Sequence, residues 1–157
     1  DASTLVGSVV ILLGVAMGLS SWLVDAEVPT RLVEWTTTHV KSPHLFLLAL
    51  NVGLLLLGSV LEIYAAIVVL APLVAPIGAA YGIDPVHLGV VFLANLELGF
   101  LFPPMGLNLF LSASRFQKPL PYLYARTFPF LLILAGGVLA ITYLDVMTTG
   151  VVSLFRK

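Results

Sequence analysis

A chain of 157 residues that is 60% hydrophobic and only 10% charged, with a mean hydropathy of +1.11, is made for a lipid bilayer, since soluble domains carry about 25% charged residues. Its net charge of −1 leaves no electrostatic footprint for nucleic acid. With no cysteine it has neither a disulfide framework nor thiolate chemistry.

The chain opens on Asp1 with no basic stretch before its first apolar run, so that run does not read as a secretory signal. A piece of a longer protein, or one part of a split one, is expected. The first element, Leu5–Val24, is free of charge and long enough to span a bilayer. Ala26–Lys41 mixes Val28, Leu32, Val33 and Trp35 with Glu27, Arg31, Glu34 and His39. With Pro29 suited to a helix start, it reads as a short amphipathic helix lying in the interface.

Pro43–Ala80 is one long apolar stretch holding a single charge, Glu62. It is too long for one helix, and Gly58-Ser59 marks the only plausible turn. The first arm, Pro43–Leu57, reaches about 22 Å at 1.5 Å per residue, short of the roughly 30 Å a crossing needs. Pro72 and Pro76 are expected to shorten the straight run of the second arm. The reading is a re-entrant hairpin with its tip at Leu57–Val60. Two ordinary spans joined by a tight surface turn are the alternative, although surface turns favour Asn, Asp or Lys.

Val86–Ser114 is also long enough to cross, yet it contains Gly99-Phe-Leu-Phe-Pro-Pro-Met-Gly106. Paired prolines between two glycines cannot continue a helix. Irregular backbone at membrane depth survives only where it is buried in protein or lines a polar cavity, and transporters bind their ions and substrates there. Pro121–Leu144 is a final span, ended by Asp145. No internal repeat and no soluble domain is evident.

Only Glu62 and Glu97 place carboxylates within apolar segments, and no Lys or Arg accompanies them. Such a group costs several kcal/mol (of order 2.5–3.5 at a span centre) unless paired, protonated or cation-bound. Both are functional candidates, and both could instead cap backbone amides at a helix interruption. Asn95 and Asn108 bracket the break and could satisfy freed backbone or coordinate an ion. Asn51 reads as a helix-packing contact. His87 reads as an interfacial residue, and His39 and His44 form no metal motif. Gly7, Gly14, Gly18, Gly53, Gly136 and Gly137 read as helix-packing positions.

Four runs together are specific. They are Leu61-Glu-Ile-Tyr-Ala-Ala-Ile-Val-Val-Leu-Ala-Pro72 with Pro76; Gly82-Ile-Asp-Pro-Val-His-Leu-Gly89; Asn95-Leu-Glu-Leu-Gly99; and Pro103-Pro-Met-Gly-Leu-Asn-Leu-Phe110. In this order and spacing the chain resembles the C-terminal part of the large membrane subunit of TRAP (tripartite ATP-independent periplasmic) transporters. Ser114-Arg-Phe-Gln-Lys-Pro-Leu120 and the proline-containing last span fit as well. The resemblance implies an all-α membrane protein: the C-terminal inverted-repeat half of an elevator-type transporter, with a re-entrant hairpin (43–80) and a broken helix (86–114).

It further implies an ion and substrate site at Gly58, Ser59, Glu62, Asn95, Gly99, Phe102, Pro103, Pro104, Gly106 and Asn108. Sodium, the coupling ion, would be held mainly by backbone carbonyls of Gly58, Ser59, Gly99 and Phe102. Half-helix N-termini would face an anionic substrate. Other cofactors are not implied. The implied partners are a small four-helix membrane subunit, a soluble periplasmic binding protein and the N-terminal half of the same permease. The implied location is the cytoplasmic (inner) membrane of a bacterium or archaeon. One departure stands out: the family usually has threonine before the proline pair, and here that residue is Phe102.

Counting crossings puts Asp1 and the Arg115/Lys118/Arg126 loop on one side. The amphipathic helix, Asp84, Arg156 and Lys157 fall on the other. The acid-free basic loop favours a cytoplasmic position, so the hairpin would open from the periplasm. Other functional readings are a stand-alone sodium/anion symporter of similar architecture and a structural membrane subunit without a transport site. An intramembrane hydrolase would have to use Ser59 with His87, for which no motif speaks.

Overall fold

A computed structural model describes residues 2–103 and 106–155. Every regular element among them is a helix, as the composition requires. Asp1, Pro104, Met105, Arg156 and Lys157 lie outside the described residues. The proposed role of Pro104 and the terminal charges used for topology therefore have no structural counterpart here.

The helices, in chain order, are α1 (Ala2–Asp25), α2 (Val28–His39), α3 (Pro43–Gly58), α4 (Ile63–Ala80), α5 (Pro85–Gly99), α6 (Leu107–Phe116), α7 (Leu120–Tyr143) and α8 (Val146–Phe155). Local chemistry explains their ends. Pro29, Pro43 and Pro85 sit in the first turns of α2, α3 and α5, where a missing N–H costs nothing. Asp84 caps α5 by accepting from the amides of Val86 (2.8 Å) and His87 (3.3 Å). Gly82 adopts φ 69° between α4 and α5, a left-handed conformation that glycine tolerates best.

The arms α3 and α4 run back to back. Phe46 and Leu47, at the start of α3, join Ile77 near the end of α4 and Leu88 of α5 in one buried cluster. Leu54, near the end of α3, joins Ala66 at the start of α4 with Phe92 and Leu96 of α5. So α5 lies parallel to α3 and antiparallel α4 returns alongside them. Pro72 and Pro76 do not shorten α4, which continues through both. This corrects the expectation of a shortened arm. Neighbouring helices can support the backbone groups that prolines free within a bundle.

At the open end of the hairpin, α2 packs on α4. The Tyr81 hydroxyl, with one proton to share, faces the carbonyls of Thr36 and Val40, and the Tyr81 ring stacks on Phe46 with centroids 4.9 Å apart.

Helix α7 is the ruler of the molecule. Its 24 residues reach about 36 Å. At its N-terminal end Arg126 and Lys118 sit 5.5 and 6.0 Å from the Tyr122 ring centroid, a basic and aromatic pairing of the kind found at bilayer interfaces. At its other end Tyr143 faces His44 of α3. Leu131, the twelfth residue of α7, is buried with Leu98 of α5, and Leu55, Leu101 and Phe102 pack on the same cluster. Hairpin tip and helix break therefore stand beside the middle of α7.

The chain does not end its regular structure at Asp145. Helix α8 follows and packs against the start of α5. Thr148 of α8 is buried there.

Candidate functional site: hairpin tip against helix break

Two glycines bring the tip and the break together. A Cβ added to Gly99 would lie 2.6 Å from the Gly58 carbonyl carbon, 2.8 Å from the Gly58 Cα and 3.0 Å from the Ser59 nitrogen. A Cβ added to Gly58 would come within 3.1 Å of the Leu96 carbonyl oxygen. This is backbone on backbone, a contact open only to residues without a side chain.

The tip itself is a short turn. Val60 and Leu61 donate their amides to the Leu57 carbonyl at 3.1 and 2.8 Å. The Ser59 hydroxyl donates to the Leu56 carbonyl at 2.7 Å. Among the described residues, no backbone amide donates to the carbonyls of Gly58, Ser59, Val60 or Leu61. Glu62 accepts from the amides of Tyr64 (3.0 Å) and Ala65 (3.2 Å), so it is the N-cap of α4. Of the two readings open for Glu62, capping is the one its contacts display. Replacing it with alanine is expected to lower stability by about 1 kcal/mol, with aspartate or asparagine largely restoring it. Thermal unfolding of the detergent-solubilised transporter measures this.

Glu97 does the opposite. It is exposed on α5, and among the described residues its carboxylate has no partner, so it caps nothing within them. Its carbonyl accepts the Phe100 amide at 3.2 Å.

The break is a closed loop of its own. Phe102 donates its amide to the Gly99 carbonyl at 2.9 Å, and Gly106 donates to the Phe102 carbonyl at 3.2 Å. The Asn108 amide reaches back to the Phe100 carbonyl at 3.3 Å. A Cβ on Gly106 would lie 2.6 Å from the Phe100 oxygen and 3.0 Å from the Phe102 oxygen. The carbonyls of Gly99 and Phe102 thus each already accept one amide, and each keeps a second lone pair. The Phe102 ring packs towards Leu131. Helix α6 begins at Gly106 with no side-chain cap, so its amide end is not occupied by a carboxylate as that of α4 is.

Asn95 is only 1% exposed. Its amide group donates to the Asn51 side-chain oxygen (2.7 Å) and to the Val91 carbonyl (2.8 Å). Of its two open readings, satisfying protein groups fits what its amide does. Asn51 is the packing contact it was expected to be. His87, expected near the interface, lies in the first turn of α5 and is packed inside the protein. It is 4% exposed, with Nδ1 2.7 Å from the Thr148 hydroxyl and Nε2 3.2 Å from the Thr142 carbonyl. A single histidine near an Asp-Pro pair carries no sign of partners 55 and 61 residues away. His87 lies twelve residues before Gly99, about 18 Å along α5, so Ser59 and His87 form no nucleophile and base pair.

The family model for the tripartite ATP-independent periplasmic transporter, DctM component, matches residues 1–147. The chain belongs to that family. The C4-dicarboxylate TRAP transporter large permease protein DctM of Pseudomonas aeruginosa is 36% identical over 133 residues, covering 85% of this chain and 31% of that protein. The sialic acid TRAP transporter large permease protein SiaM of Vibrio cholerae is 35% identical over 125 residues, covering 79% and 29%. The isethionate TRAP transporter permease protein DctMQ of Oleidesulfovibrio alaskensis is 33% identical over 135 residues, covering 86% and 21%. The chain spans less than a third of each of these relatives. DctM permeases are transporters and not enzymes, which sets the hydrolase reading aside. Among the described residues, three helices are long and apolar enough to cross a membrane, in keeping with a multi-pass permease.

Proposed function

We propose that the chain is the C-terminal part of the large permease subunit of a sodium-coupled, binding-protein-dependent TRAP transporter in a cytoplasmic membrane. It would work with a small membrane subunit, a soluble binding protein and the N-terminal half of the permease to import a small organic anion. The observation that carries this is the meeting of the Gly58-Ser59 turn with the Gly99–Gly106 break beside Leu131, halfway along α7. Two interrupted helices that share one level, with carbonyls turned away from intrahelical bonds, make a hard-oxygen site for a sodium ion.

Gly58 and Ser59 are the stronger ligands in this reading, since no described amide donates to their carbonyls. Gly99 and Phe102 contribute through second lone pairs. The uncapped amide end of α6 suits a substrate carboxylate, whereas Glu62 closes the end of α4 to one. The relatives are named for a C4-dicarboxylate, sialic acid and isethionate. All three are small anions, and we assign that class to the substrate here.

The test is uptake by the complete transporter in liposomes, with its binding protein, using succinate, sialic acid and isethionate as probes. Uptake of one of them should depend on an inward sodium gradient. Uptake indifferent to sodium would overturn the sodium assignment.

The hairpin has its own check. A cysteine at Val60, exposed at the tip, should resist membrane-impermeant maleimide or react only through a cavity. Cysteines at Lys41 and Ala80, at the open end, should react from one face. Free reaction of Val60→Cys from the opposite face would mean two full spans.

A further inference from the structure

Thr142 sits near the end of α7, 1% exposed, and no transport reading assigns it a task. It is the hub of a buried string of hydrogen bonds. The Asn95 amide of α5 donates to the Asn51 oxygen of α3 at 2.7 Å. The Asn51 amide donates to the Thr142 hydroxyl at 3.1 Å, and that hydroxyl donates to the Val138 carbonyl at 2.8 Å. The Thr142 carbonyl, one of the helix-end acceptors that α7 cannot satisfy itself, takes a bond from His87 Nε2 at the start of α5. One residue thereby ties α7 to both the hairpin arm and the half-helix that ends in the break.

The placement matters for what lies beyond it. Asn95 is four residues before Gly99, and Asn51 is seven before Gly58, so each anchors its own approach to the glycine contact. Leucine packing alone lets parallel helices slide, because one apolar contact replaces another at little cost. A donor matched to an acceptor in an apolar interior fixes the register, since every slipped position leaves a polar group unpaired.

We infer that Thr142 is a positioning residue for the tip-and-break contact, acting through Asn51 and Asn95. It holds α3, α5 and α7 in the register that sets Gly58 against Gly99. The sodium readout below rests on the sodium reading of that contact, while the distance readout does not.

The experiment uses the complete transporter in lipid nanodiscs. Nitroxide labels on cysteines at Leu56 of α3 and Phe130 of α7, both exposed, report the spread of the α3–α7 distance by pulsed electron spin resonance. This chain contributes no competing cysteine. Thr142→Val keeps the shape and removes the hydroxyl. It should broaden the distance distribution and raise the sodium concentration for half-maximal uptake about three- to tenfold, the range expected for one buried interhelical hydrogen bond. Thr142→Ser should restore both. Asn51→Leu cuts the same link from the α3 side and serves if Thr142→Val fails to reach the membrane. Phe46→Leu, a packing change at the open end, should lower stability without raising the sodium requirement.

An unchanged distribution in the hydroxyl-free and Asn51 variants overturns the inference. A broadened distribution with unchanged sodium dependence sustains the positioning role and counts against the sodium site at the tip and break.

Discussion

Gly99→Leu should cut sodium-driven uptake at least about tenfold while the protein still reaches the membrane. The first added carbon would already stand 2.6 Å from the Gly58 carbonyl carbon and 3.0 Å from the Ser59 nitrogen. Ordinary carbon contacts begin near 3.5 Å, so tip and break must part by about 1 Å. No side-chain rotation relieves the clash, because both partners are backbone. Gly99→Ala should already be harmful, with leucine worse. Gly89→Ala, on the same helix where an added Cβ meets nothing within 4 Å, is the control. Wild-type uptake in Gly99→Leu would show that the tip-and-break contact has no part in transport.

Gly106→Val should be nearly as severe, for a different reason. Its Cβ would intrude 2.6 Å from the Phe100 oxygen and 3.0 Å from the Phe102 oxygen. Those two carbonyls accept the Asn108 and Gly106 amides that close the break loop. Prying them apart frees the loop and misplaces the start of α6, so a loss of more than about tenfold in uptake is again expected. Phe102→Thr offers the contrast. It restores the hydroxyl usual in the family and leaves the backbone free to keep its bonds. Sodium affinity should hold or improve, while thermal stability falls because the ring leaves the cluster around Leu98 and Leu131. Uptake measured against sodium concentration, alongside thermal unfolding, separates the two effects. A Gly106→Val protein with normal sodium-dependent uptake would remove the break from the site.

What the sequence revealed and what it hid follow from how local each signal is. Glycines and prolines act on their own backbone, so the interruptions near Gly58 and over Gly99–Gly106 were legible without a partner in view. Proline inside α4 misled, because a bundle can support the groups that Pro72 and Pro76 release. Glu62 and Glu97 looked alike as lone acids. Only the fold separates them, one lying over the amides of its own helix start and the other pointing outward from α5. The His87, Thr142 and Thr148 contacts join positions 55 and 61 residues apart, and no spacing rule could have found them. Helix α8 was missed because Asp145 read as the end of a span. The apolar run after it, Val146-Met-Thr-Thr-Gly-Val-Val-Ser-Leu-Phe155, was the available signal.

The Asn51–Thr142 bond joins residues 91 positions apart, and this bears on how the protein is made. When α3 first enters the membrane, its asparagine faces lipid or the insertion machinery with no native partner. Asn95 arrives with α5, and the last acceptor comes only with the final turn of α7. The hairpin is thus expected to remain loosely seated through most of synthesis and to lock late. A ribosome stalled before Thr142 emerges should leave a chain whose α3–α5 spacing, read between labels at the exposed Leu56 and Leu93, is broad, and one stalled well beyond it should give a narrow spacing.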